Sequence, residues 1–111
     1  MNFDIEKVGG IGEYEEEKRI VGTEPDTEEV TIYRVGSGSA DEEPKVFLVV
    51  RKNTLEVRTD AKLRDLLRER YESVMESRYF GRGGVEIVNS GQISSEEIND
   101  LVRLSYQLTK Q

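Results

Sequence analysis

The chain has no cysteine, no histidine and no tryptophan among its 111 residues, and only two prolines. Without cysteine there is no disulfide, no thiolate nucleophile and no sulfur-ligated metal, which fits a reducing, cytoplasmic setting. Without histidine the commonest general base and a common transition-metal ligand are missing too. No apolar run reaches membrane length, and the Met1-Asn2-Phe3-Asp4 start carries no signal-peptide pattern, so neither a membrane nor export is expected. Serine hydrolysis would need a lysine base, and no motif provides one. Enzyme is therefore the weakest functional class, and no cofactor or metal is expected.

Charge is abundant and unevenly placed. Lys and Arg number 16 against 23 Asp and Glu, a net charge of −7. Residues 1–30 hold ten acidic and three basic residues, which accounts for the whole excess. Between Arg51 and Arg82 the balance reverses, with nine basic and six acidic residues. That is mildly basic and far from the dense patch of a strong nucleic-acid binder. The length suits one domain, 1–111, with residues 1–29 as an acidic N-terminal segment. There, glycines and Pro25 punctuate a glutamate-rich run that fits either a short helix or an edge strand. The run lacks the spacing of a calcium loop.

The organising stretch is Thr54–Val74. Leu55 and Val57 alternate with Glu56 and Arg58, the pattern of a strand with one buried face. At Asp60 the period changes, and Leu63, Leu66, Leu67, Tyr71 and Val74 form one apolar helical stripe, with Asp60 or Thr59 as its cap. Before it, Val30–Val35 and Lys45–Val50 read as strands, the second apolar on both faces and so central. With Thr54–Thr59 they make a three-strand meander. Gly36–Pro44 reads as a flexible acidic linker rather than a phosphate nest. Val85–Val88 reads as a short strand after an ambiguous Ser73–Phe80. The last element has a capping box, Ser94 with Glu97, an Ile93/Ile98 staple, and a packing face of Ile98, Leu101, Val102, Ser105 and Leu108.

The carboxylate pairs Glu96/Asp100 and Asp65/Glu69 have basic neighbours and read as solvated helix faces. Ser77–Gly84, SRYFGRGG, has a different flavour: Arg78 and Arg82 flank Tyr79 and Phe80 among glycines. Arginines hold phosphates, aromatics stack on bases, and glycines admit a ligand to the backbone. The alternative is a turn with core aromatics and solvated arginines.

From Val30 onward the order VTIYRV, PKVFLVV, TLEVRTDAKLRDLLRERY, SRYFGRGGVEIV and SSEEINDLVRLSYQLTKQ resembles the MmcQ/YjbR-like family, with its Ser-Tyr-x-Leu signature at Ser105, Tyr106 and Leu108. Arg82 stands near the family's loop lysine and Val85 near its tryptophan, while the loop histidine has no counterpart. The resemblance implies an α+β fold, similar to the secretion-chaperone-like architecture. It would have an antiparallel sheet of about five strands, a helix between the third and fourth, a closing helix, and commonly a helix before the first strand. It also implies weak binding to DNA or another nucleic acid, for which Arg51, Lys52, Arg78, Tyr79 and Arg82 are the contact candidates. The alternative is a protein-interaction or self-association module, with a protein partner or a second copy on a sheet face or edge.

Overall fold

Residues 3–36 and 45–110 are described in the computed structural model. Six strands form one antiparallel sheet, joined with two helices in the order β1 (Tyr14–Thr23), β2 (Asp26–Val35), β3 (Val46–Val50), β4 (Thr54–Arg58), α1 (Ala61–Arg70), β5 (Val74–Ser77), β6 (Gly81–Val88) and α2 (Ser95–Lys110). The sheet order is β1-β2-β3-β4-β6-β5. The fold is α+β, with the expected meander in β2-β3-β4 and the expected helix after it. The linker reading of Gly36–Pro44 falls, from residue 37 on, outside the described residues.

The expected count of about five strands becomes six because the glutamate-rich N-terminal run is strand β1. Among the described residues only a 3-10 turn at Ile5–Lys7, capped by Asp4, precedes it. All ten residues of β1 pair with β2, from Tyr14 opposite Val35 to Thr23 opposite Asp26. The hairpin turns at a cis Glu24–Pro25 peptide. A cross-strand partner for every residue outweighs the helix preference of the glutamates, since intrinsic propensity is a weak prior.

One face of the sheet meets both helices. Leu55 and Val57 of β4 and Val85 and Ile87 of β6 are fully buried there with Val102, and Leu67, Ile98, Leu101 and Tyr106 join them. In β3 the ladder slips at Tyr33/Arg34, so Leu48 faces Tyr33 while Val46 faces Arg34. Phe47 is the extra residue of this bulge, and both Phe47 and Leu48 join the helix-side core. The Phe47 ring meets Tyr106 edge-on at 5.0 Å. Burying each such side chain stabilises by about 2 kcal/mol.

Caps and pins fix the helices. The Asp60 carboxylate accepts from the Leu63 amide at 2.7 Å, and Ser94 Oγ accepts from the Glu97 amide at 3.1 Å, as the two capping patterns predict. Ser105, fully buried, donates to the Phe47 carbonyl (2.6 Å) and accepts from the Arg58 amide (2.8 Å), tying α2 to β3 and β4. The Tyr106 hydroxyl donates to the Glu13 carbonyl at 2.8 Å. The Ser-Tyr pair of the signature is thus a structural clamp.

Three sequence expectations are corrected. The first helix ends at Arg70, and Val74 belongs to β5, where it pairs with Ile87; Leu66 is left 55% exposed. On α2, Thr109 is buried and Leu108 is turned outward. Most consequentially, the far face of β4 is not solvated. Glu56 has no exposure, because the β5–β6 loop folds across it.

Candidate functional site

The face away from the helices is built around two glutamates. Glu56 of β4 and Glu86 of β6 are direct cross-strand partners, and both are fully buried. Like charges in such a position repel, so each needs a cation and further donors. Arg51 Nε donates to Glu56 at 2.7 Å, joined by the Ser77 hydroxyl at 2.7 Å and the Tyr79 amide at 2.8 Å. Arg78 grips Glu86 with two guanidinium nitrogens at 2.6 and 3.0 Å, and the Thr54 hydroxyl adds a bond at 2.8 Å. Burial pushes the Glu86 carboxyl up, but the Arg78 and Thr54 hydrogen bonds together outweigh it and hold the group below the usual carboxylate range. The same hydrogen bond raises Arg78.

These bonds shape the loop. Ser77 Oγ also accepts from the Phe80 amide at 2.8 Å, closing the turn, and Phe80 packs inward near Val30, Ile32, Val46 and Val49. The Arg58 guanidinium lies over the Phe80 ring at 4.9 Å and donates to the Val46 carbonyl. Gly84 has a packing reason: a Cβ there would stand 2.2 Å from the Val57 carbonyl and 3.0 Å from Phe80. The glycine admits Phe80 and the neighbouring strand.

The sequence-derived candidates therefore divide. Arg51 and Arg78 are brought together about the Glu56/Glu86 pair, with Arg51 also reaching Glu28 at 3.3 Å. The Arg51 side chain is only 12% exposed, whereas that of Arg78 is 58% exposed. Tyr79 is 45% exposed and meets Phe80 edge-on at 5.0 Å. Lys52 sits exposed in the β3–β4 turn. Arg82 is exposed on β6, and its carbonyl accepts from Arg64 of α1 at 2.7 Å. Sequence reasoning missed Glu56, Glu86, Thr54 and Ser77. The available signal was a glutamate at the centre of each of two short apolar strands, Leu55-Glu56-Val57 and Val85-Glu86-Ile87. Among the described residues no three His, Cys, Asp or Glu groups converge on a metal-sized site, and no helix is long and apolar enough to cross a membrane.

A second surface is the outer edge of β1. The Glu13 carbonyl accepts from the Gly36 amide. Antiparallel alternation therefore turns the odd-numbered peptide groups toward β2, and those of Tyr14, Glu16, Lys18, Ile20 and Gly22 outward. Among the described residues the strand pairs on one side only, and it carries Ile20, 67% exposed, and Val21, 38% exposed. Its charges are partly tied within the chain. Glu17 bonds Arg19 at 2.6 Å and Arg34 at 2.6 Å, and these two guanidinium groups hold its carboxyl down at about 2. Glu16 accepts from the Tyr33 hydroxyl at 3.0 Å; burial first, and then that bond, push the Tyr33 phenol up.

This combination defines a small α+β domain with helices on one sheet face, an ion-pair network around two buried glutamates on the other and, among the described residues, one long unpaired edge. Its fold is similar to that of the Deinococcus radiodurans protein DR2400, a DUF419 domain protein of YjbR/MmcQ-like fold. That structure matches with a TM-score of 0.64 and 17% identity, over 85% of this chain and 69% of DR2400. No protein-family model matches the sequence, and no curated protein matches it.

Proposed function

We propose that the chain is a non-enzymatic, cytoplasmic member of the MmcQ/YjbR-like family that works as a protein-interaction module, adding an extended segment to the outer edge of β1. The observation that carries this is the ten-residue strand with outward peptide groups and an exposed Ile20 at one margin of the sheet. Unpaired edges of that length template strand addition, in which main-chain hydrogen bonds supply affinity and alternate side chains supply specificity. The arginines that would otherwise argue for an anionic partner, Arg51 and Arg78, neutralise Glu56 and Glu86. The test is an array of ten-residue peptides of alternating apolar and charged residues, with binders mapped by amide chemical shifts. Shifts at Tyr14, Glu16, Lys18 and Ile20 support the reading. Shifts confined to other elements refute it, as does a monomeric chain with no binders.

A second reading, weak nucleic-acid binding, is favoured by the half-exposed Tyr79 ring beside the outward part of Arg78, with Arg82 and Lys52 supplying further charge. Phosphate contacts would make such binding steeply salt-dependent. Fluorescence anisotropy with single- and double-stranded DNA across a salt series decides it, and a flat titration at low salt eliminates it.

A further inference from the structure

We infer that the segment taken by the β1 edge is β1 of a second copy, in the antiparallel register that sets Glu17 opposite its own symmetry mate. This rests on the edge-addition reading above. Identical edges close on each other through a two-fold axis. The pleat then allows only registers in which odd residues face odd and even face even. In the register centred on Glu17, Glu16 faces Lys18 of the other copy, Glu15 faces Arg19, and Tyr14 faces Ile20, each pair occurring twice. Every outward peptide from Tyr14 to Ile20 then finds a partner, and the exposed Ile20 is covered by an aromatic ring.

The central pair is two glutamates, but each already holds Arg19 and Arg34, so four guanidinium groups surround the two carboxylates. Neighbouring registers fit worse. Centring on Lys18 puts two lysines together and sets Ile20 against Glu16. Centring on Glu16 aligns Glu15 with Glu17. Charged residues on an edge ordinarily blunt pairing; here the order Glu15-Glu16-Glu17-Lys18-Arg19 is complementary to itself when reversed.

The experiment uses two charge reversals and two cysteine substitutions, in the full chain. Sedimentation velocity of the wild type should show a concentration-dependent dimer. Glu16→Lys and Lys18→Glu each create two like-charge pairs and should weaken it by about tenfold or more. Mixing the two variants makes both pairs between positions 16 and 18 opposite in sign, so the mixture should form a heterodimer tighter than either homodimer, which no fold defect in one variant can imitate. Because the chain has no cysteine of its own, Glu17→Cys should crosslink on oxidation and Lys18→Cys should not. A wild type that stays monomeric, a mixture no tighter than its parts, or crosslinking at position 18 alone overturns the inference. A monomer whose Tyr14–Ile20 amides still respond to array peptides would overturn only the second-copy partner. A monomer without such responses would sink the edge reading as well.

Discussion

Glu56 and Glu86 face each other across two central strands, fully buried, each carboxylate held by its own arginine and a hydroxyl. The pair explains why the loop after β5 lies over the sheet. Buried carboxylates need partners, and the loop supplies Arg78, Ser77 and the Tyr79 amide.

Removing one partner leaves a buried charge uncompensated. Arg51→Met should destabilise the fold by about 3 kcal/mol in urea denaturation, because Arg51 is nearly enclosed and Glu56 wholly so. Arg78→Met should cost less, about 1 kcal/mol, since that side chain is largely in solvent. Equal losses for the two would contradict the burial argument.

Glu86 predicts a pH dependence with a definite sign. Its folded pKa lies below the unfolded value of 4.5, so its contribution is complete above that value and fades as the pH falls through the lower, folded one. Chemical denaturation between pH 7 and pH 3 should show stability declining from about pH 5 downward. Glu86→Gln should be less stable at pH 7 and show a shallower slope. A variant with the wild-type slope would assign the acid sensitivity elsewhere.

Ser105→Ala leaves the part-buried Arg58 amide and the buried Phe47 carbonyl without their bridge. An unpaired buried amide costs about 1 to 3 kcal/mol. The expected loss is in that range, with amide exchange accelerated at Arg58 before global unfolding. An unchanged exchange rate at Arg58 would mean that α2 is held by its apolar face alone.

Gly84→Ala should be among the most damaging single changes, at about 3 kcal/mol, because its methyl group would run into the backbone of β4 and the Phe80 ring. Gly83→Ala, whose new methyl group would meet the Phe80 carbonyl at 3.3 Å, should be far milder. Thermal melts of the two variants make the comparison.

Much of the fold could be read from local pattern. The two helix starts follow from Asp60 and Ser94, whose side chains cap their own first turns; no distant contact is needed for that signal. The meander follows from alternation and the central strand from its unbroken apolar run. The candidate residues were legible as types but not as roles. Whether Arg78 meets solvent phosphate or Glu86 depends on how the β5–β6 hairpin is registered and on what buries Glu86, and residue types and period do not report either.

Composition and period alone determined the meander strands, the two capped helices and the lack of cysteine and histidine chemistry; the α+β fold as a whole was implied by the family resemblance. Tertiary structure decided the rest, because which strand pairs with which, and what covers each face, is not carried by local period. It turned the acidic N-terminal run into an edge strand through ten cross-strand pairs with β2. It buried Glu56 by setting Glu86 opposite it and folding the Ser77–Phe80 loop over both. Periodicity reports only which residues share a face; what covers that face is settled by packing.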